Sequence, residues 1–199
     1  MDWPLPALFV AALAIGYLLG SIPFGLILTR AAGLGDIRAI GSGNIGATNV
    51  LRTGRKDIAA LTLLLDGGKG TVAALLGNHF GPDVALVAAG AAFLGHLFPV
   101  WLKFKGGKGV ATFLGILLGL AWPVGLLACA TWLVAALVFR YSSLSALLAA
   151  LLAPVYAWFL STQQFALFMA ALAIVVFVRH DQNIRRLLRG EEPKIGRKS

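Results

Sequence analysis

Residues 110–139 read VATFLGILLGLAWPVGLLACATWLVAALVF, thirty positions without a charged side chain. A bilayer-spanning helix needs about 20 mostly apolar residues. The stretch is therefore long enough to fold as a hairpin, and Trp122-Pro123 near its middle is a plausible turn. Whether it is one span or two decides the sidedness of everything around it. The rest of the chain matches its character. Of 199 residues, 59% are hydrophobic and 13% charged, against about 25% charged in a soluble domain. So little charge cannot cover a soluble enzyme. The apolar content excludes disorder, and the single cysteine, Cys129, excludes a disulfide scaffold. What charge remains is lopsided, with seventeen Lys and Arg against eight Asp and Glu, a formal +9. The composition is that of an integral membrane protein with basic edges.

Three further uncharged runs, Leu5–Thr29, Val84–Leu102 and Tyr141–Val178, lie on either side. A fifth segment, Ile58–Asn78, is apolar except for Asp66 and Lys69. Only Asp2 precedes the first run as a charged residue; without a basic leader it reads as a retained span rather than a secretory signal. The polar cluster Ser161-Thr162-Gln163-Gln164 splits the Tyr141 run as Trp122-Pro123 splits the Val110 run. The predicted fold is an all-α membrane protein in a single domain, 1–199. Its seven spans fall at about 5–29, 58–78, 84–102, 109–121, 124–140, 144–160 and 165–179.

Charge selects this count. With seven spans, Arg30, Arg38, Arg52, Arg55 and Lys56 share a side with Lys103, Lys105, Lys108 and Arg140. The tail cations Arg179, Arg185, Arg186, Arg189, Lys194, Arg197 and Lys198 fall there too, leaving only Lys69 elsewhere. Positive residues mark the cytoplasmic side, so the N-terminus is expected outside and the C-terminus inside. Leaving 110–139 as one span would set the first basic loop opposite the basic tail.

The longest expected cytoplasmic loop contains Gly41-Ser42-Gly43-Asn44-Ile45-Gly46-Ala47-Thr48-Asn49-Val50-Leu51-Arg52. It matches the letters GxGxxG, but a dinucleotide fold needs a strand before them and a soluble βαβ unit around them. The physics of the glycines still applies: exposed backbone N–H groups form nests for phosphate. Ser42, Asn44, Thr48 and Asn49 add hydrogen-bonding side chains, and Arg52 a bidentate cation. The bland alternative is a tight loop with a helix cap at Thr48 or Asn49.

A second glycine-rich stretch runs Lys103-Phe104-Lys105-Gly106-Gly107-Lys108-Gly109-Val110-Ala111-Thr112. Lys108 would sit at a helix start, where the dipole favours anions. Sidedness alone explains Lys103 and Lys105, but not three glycines. A similar set, Asp66-Gly67-Gly68-Lys69-Gly70, lies inside the second span. Intramembrane charge costs roughly 2.5–3.5 kcal/mol per residue on insertion scales. Asp66 and Lys69, three apart, can pair on one helix face; the glycines suggest a broken or closely packed helix. Neither Gly-Gly-Lys-Gly is a Walker loop, which needs Ser or Thr after the Lys.

The end of the last span reads Arg179-His180-Asp181-Gln182-Asn183-Ile184-Arg185-Arg186. A continuing helix would put His180 and Asn183 on one face, while Arg185, Arg186 and Arg189 suit phospholipid head groups. Arg140-Tyr141-Ser142-Ser143-Leu144-Ser145 reads by itself as an aromatic anchor with a helix cap. His96 reads as a helix-packing histidine. No His, Cys or carboxylate cluster has metal-ligand spacing, and no cofactor is expected. Glycines, small polar residues and cations on one face suit a phosphate-bearing substrate, with hydrophobic walls for a lipid chain.

These motifs resemble those of the bacterial membrane glycerol-3-phosphate acyltransferases that use acyl phosphate as donor. The likeness is carried by Gly20-Ser21-Ile22-Pro23-Phe24-Gly25, by Gly41–Arg52, by Gly95-His96-Leu97-Phe98-Pro99-Val100 with Lys105–Thr112, and by Arg179–Arg186. It covers nearly the whole chain. Asp181 and Gln182 stand where many relatives have Arg and Glu, which argues against a catalytic carboxylate at either position. The resemblance implies acyl transfer from acyl phosphate to glycerol 3-phosphate, giving lysophosphatidic acid and phosphate, without acyl-CoA or acyl carrier protein. It implies Ser42, Arg52, Lys108, His180 and Asn183 as the catalytic set. Gly41, Gly43, Asn44, Thr48, Asn49, Lys105, Gly106, Gly107, Gly109, Ser142 and Ser145 are implied as substrate-binding. The expected setting is a monomer in the bacterial cytoplasmic membrane, its active site facing the cytoplasm, with no nucleic-acid partner. The competing class is a transporter for a phosphorylated metabolite, which broken helices and an intramembrane charged pair would also suit. The scarcity of polar residues in the outer halves of the spans argues against it.

Overall fold

The computed structural model describes residues 4–196, all-helical and without β-strand among them. Asp2, Arg197 and Lys198 lie outside the described residues. The chain divides into two compact units, Met1–Leu120 and Ala121–Ser199.

The first unit holds α1 (Leu5–Gly20), α2 (Phe24–Ala31), α3 (Ala47–Val50), α4 (Lys56–Asn78), α5 (Pro82–Leu97) and α6 (Val110–Leu120). The first expected span is thus two helices, interrupted at Ser21-Ile22-Pro23; Pro23 has no N–H to continue the ladder. Small residues let α1 and α5 approach closely, as in membrane helix pairs. A Cβ on Gly16 or Gly20 would collide with the carbonyls of Ala88 or Ala92. The glycines of α4 do not break it. They admit α6, whose Thr112 carbonyl lies against Gly70 and whose Gly115 lies against the Gly67 carbonyl. Of the two readings of that sequence, close packing is the observed one.

Helix α6 has only eleven residues, about 16 Å at 1.5 Å per residue. It starts late because residues 103–109 are not helical: Lys103, Phe104 and Gly109 have φ of 51°, 61° and 84°. The long loop before α4 is anchored by its own apolar cluster of Leu26, Ile37, Ile45, Val50 and Ala59.

The second unit holds α7 (Trp122–Phe139), α8 (Ser142–Leu160), α9 (Gln163–Arg179) and α10 (Asp181–Leu188). Neighbours pack in sequence order, α7 on α8 and α8 on α9. The Thr131 and Tyr156 hydroxyls meet at 2.9 Å between α7 and α8. The last helix ends at Arg179, where the last span was expected to end, and does not continue straight: α9 and α10 are bent by 63° at His180. The backbone N–H of His180 donates to Phe177 O at 3.0 Å. The His180 ring Nδ1 instead lies 2.8 Å from Val176 O. That carbonyl would accept the His180 N–H in a continuous helix. The side chain competes with the backbone, and the helix ends.

Five helical segments are long and apolar enough to cross a membrane: Leu5–Ala31, Lys56–Asn78, Pro82–Leu102, Trp122–Phe139 and Ser142–Leu160. The bent α9–α10 pair makes a sixth, and α6 is a shorter apolar helix. Large apolar side chains such as Leu133, Val134, Leu137, Val138 and Phe159 point outward, as a lipid-facing surface requires.

Candidate active site

In the first unit, Gly41–Arg52 is organised by one buried side chain. Asn49 is 2% exposed. Its amide nitrogen donates to the carbonyls of Ile37, Ile40 and Asn44 at 2.9, 3.1 and 2.8 Å. Its oxygen accepts from the Ser42 N–H at 3.0 Å and from Arg52 Nη1 at 3.4 Å. Asn49 therefore shapes the loop from within. Gly41 and Gly43 take left-handed φ of 56° and 66°, as glycine does at low cost. Gly41 also has no room for a Cβ, because the Arg52 side chain lies across it. The result places Ser42 and Arg52 at one loop rim, with Ser42 exposed. The alternative reading, a helix cap at Thr48 or Asn49, is not what forms. Both lie within α3, whose N-cap is Gly46. The Asn44 side chain instead accepts from the Gly46 N–H at 2.9 Å, and Thr48 is exposed.

The acidic residues around this loop are engaged by arginines. Asp36 accepts from Arg38 Nη2 at 2.6 Å and Arg30 Nη2 at 3.1 Å. Hydrogen bonds from Arg38 hold the Asp36 carboxyl well below the usual carboxylate range. Asp57, at the start of α4, accepts from Arg55 Nε at 2.9 Å and Nη2 at 2.6 Å. Both carboxylates are thus occupied by arginine donors.

The second loop is tied to the end of α5. Gly106 N–H donates to Leu97 O and Gly107 N–H to His96 O, each at 3.0 Å. These donors, expected to face phosphate, are spent inside the protein. They fix the backbone from which Lys108, half-buried, emerges before α6. Lys105 is exposed at the loop's outer edge. Gly109 has a left-handed φ and lies against Phe93 and Leu97, leaving no space for a side chain. The Asp66–Lys69 pair forms inside α4, with Lys69 Nζ 2.7 Å from Asp66 Oδ1.

In the second unit, His180 and Asn183 are 3% and 6% exposed at the α9–α10 bend. Ser145 is buried in the first turns of α8, and its hydroxyl donates to Tyr141 O at 2.8 Å. Ser142, half-buried, opens that helix. The residue missed in the sequence is Glu192. Its Oε1 accepts from Ser143 Oγ at 2.7 Å and Asn183 Nδ2 at 2.6 Å, and its Oε2 from Arg186 Nε at 2.7 Å. Desolvation pushes this carboxyl up, but the hydrogen bonds from Ser143, Asn183 and Arg186 outweigh it and hold it below the ordinary glutamate value. It sits in a polar tail that reads as a solvated end, and no local pattern marks it as buried. Asp181 is exposed and paired with Arg185 at 3.1 Å. Among the described residues, no group of three or more His, Cys, Asp or Glu could hold a metal ion.

The sequence model of the family described as glycerol-3-phosphate acyltransferase matches residues 10–190. A protein of that name from Mesorhizobium japonicum is 63% identical over 95% of this chain and 97% of its own length. One from Brucella canis is 61% identical over 96% of each. The fold is similar to crystal structures of PlsY (YgiH), an integral membrane glycerol 3-phosphate acyltransferase. The glycerol 3-phosphate form aligns with a TM-score of 0.89 at 37% identity, covering 94% of this chain and 96% of the other. The lysophosphatidic acid form gives 0.87 at 36% identity, covering 94% and 95%. The chain belongs to the glycerol-3-phosphate acyltransferase family.

Proposed function

We propose that the chain transfers a fatty acyl group from acyl phosphate to the 1-hydroxyl of glycerol 3-phosphate, giving 1-acylglycerol 3-phosphate and inorganic phosphate. The observation that carries this reading is the Gly41–Arg52 loop, where a buried asparagine fixes Ser42 and holds Arg52 across a glycine. A rigid rim of small polar groups and a guanidinium suits phosphate, which Arg can bind bidentately. The relatives' glycerol 3-phosphate and lysophosphatidic acid forms support the acceptor and the product.

The donor is already a mixed anhydride, so orientation and charge stabilisation suffice. The hydroxyl oxygen attacks the acyl carbon, and the bond from that carbon to the phosphate oxygen breaks. A substrate phosphate oxygen takes the hydroxyl proton, and Arg52 and Lys108 stabilise the leaving phosphate. The carboxylates named above favour this route. Asp36, Asp57 and Glu192 are occupied by donors, and Asp181 is paired and exposed. Ser42, Ser145, His180 and Asn183 complete our assignment of reacting or binding groups. We further assign seven spans, with α6 as the short fourth, the N-terminus outside and the chemistry on the cytoplasmic face of the bacterial inner membrane. The enzyme is assigned as a monomer needing no carrier protein. Turnover tests this. His180→Ala or Asp181→Asn that abolishes turnover while both substrates still bind would restore a protein base. Arg52→Ala and Lys108→Ala with wild-type turnover would remove the phosphate site.

A further inference from the structure

Three ionisable side chains of the first unit are buried where the reaction uses none. Asp66, Lys69 and His96 are 2%, 5% and 4% exposed. Lys69 Nζ donates to Asp66 Oδ1 at 2.7 Å and to the Ile22 carbonyl, in the gap between α1 and α2, at 2.9 Å. The ammonium also lies 5.7 Å from the centre of the Phe24 ring. His96 Nδ1 stands 3.7 Å from the same Asp66 oxygen. The other ring nitrogen of His96 packs beneath Gly107, where a Cβ would collide with it. The Asp66 carbonyl accepts from Thr112 Oγ1, in the first turn of α6, at 2.9 Å. One charged cluster thus joins the α1–α2 break, the middle of α4, the end of α5 and the start of α6. The loop carrying Lys108 runs between the last two.

A buried ion pair is a poor source of stability, because apolar residues of similar volume often do as well or better. Such a pair fixes geometry instead, since each partner accepts few alternative arrangements. Here the chain of contact runs from Lys69 to Asp66, to the His96 ring, and to the backbone of the residue before Lys108. We propose that Asp66, Lys69 and His96 are positioning residues that set the height and direction of the Lys108 loop for a phosphate-bearing substrate. The inference rests on the assignment of Lys108 to substrate phosphate.

Steady-state kinetics on purified full-length protein test it, with glycerol 3-phosphate and acyl phosphate titrated separately. KM does not depend on the fraction of molecules that are folded, so a purely structural role lowers Vmax and leaves KM alone. Asp66→Asn and His96→Ala are each expected to raise KM for a phosphorylated substrate about tenfold or more, the scale of a misplaced binding group. The double variant is expected to be little worse than either single one, because both act along one chain of contact. The pair replacement Asp66→Leu with Lys69→Met removes both charges together and guards against single variants that do not fold. It is expected to fold and to show the same KM rise. Wild-type KM values in the folded variants overturn the proposal. Lys108→Ala separates the two claims. If it leaves KM and kcat unchanged, the phosphate assignment falls and the brace with it. If it raises KM while the brace variants do not, only the brace falls. In the wild-type protein the His96 ring resonance is expected to shift on addition of glycerol 3-phosphate, and a resonance indifferent to either substrate also overturns the proposal.

Discussion

The first unit contains the letters Gly-Gly-Lys-Gly twice, and the two copies do opposite things. At 67–70 they are four residues of an unbroken helix, and the lysine is buried in an ion pair. At 106–109 they form a loop with a left-handed glycine, and the half-buried lysine lies two residues before a new helix. What precedes them decides. Leu63-Leu64-Leu65 before the first copy continues a helix already under way. Before the second copy, Pro99 and left-handed Lys103 and Phe104 have ended one. The glycines then serve different ends: in α4 they admit another helix, and in the loop they permit backbone turns. The residues beside the two copies meet, since α4 and α6 pack together and Thr112 bonds to the Asp66 carbonyl. One supplies the frame and the other, in our assignment, the reacting edge.

The lysines should break differently. Lys108→Ala is expected to leave folded protein with turnover lowered about 100- to 1,000-fold, the scale for losing one group that stabilises developing charge. Lys69→Ala strands a buried carboxylate, which costs about 3–5 kcal/mol. Its expected signature is loss of folded protein, read by size-exclusion profile and thermal unfolding. A folded Lys69→Ala with wild-type KM and turnover, or an unfolded Lys108→Ala, would reverse the assignment.

The glycines sharpen the contrast at smaller scale. Gly68 is helical and a Cβ there meets nothing within 4 Å. Gly68→Ala should be neutral or raise stability by up to about 1 kcal/mol. Gly109→Ala faces both a left-handed φ of 84° and the Phe93 ring. The backbone alone costs about 1–3 kcal/mol, so a lower unfolding temperature and weaker activity are expected together.

A buried charge that ties rather than reacts occurs again at Glu192. Its folded-state pKa is depressed below the ordinary 4.5. Its contribution is therefore complete above the unfolded value and disappears as pH falls through the folded one. Wild-type protein should lose stability across that acid range, and Glu192→Gln should lack this component of the pH profile. The smallest effect belongs to Asp181→Asn. Its exposed pair with Arg185 should be worth less than about 1 kcal/mol, with activity near wild type.

Much of this was legible in the chain. Apolar runs of span length marked α1, α4, α5, α7 and α8, α4 despite its Asp66 and Lys69, because bilayer thickness sets a length that composition reveals. The Gly41–Arg52 loop declared itself through small polar residues crowded among glycines. What stayed hidden was long-range or competitive. That Asn49 would face inward depends on carbonyls at Ile37 and Ile40, supplied by a turn with no local signature. The α9–α10 bend depends on a His180 ring taking a backbone acceptor. Spacing identified the Asp66–Lys69 pair, but no sequence rule joins it to His96 and Ile22.

Donor choice separates acyl-phosphate chemistry from carrier-dependent chemistry. Purified protein is given glycerol 3-phosphate with acyl phosphate, acyl-CoA or acyl carrier protein thioester in separate reactions, and lysophosphatidic acid is measured. Product, with an equal amount of inorganic phosphate, is expected from acyl phosphate alone. Lysophosphatidic acid from either thioester, or none from acyl phosphate, would contradict the proposed reaction.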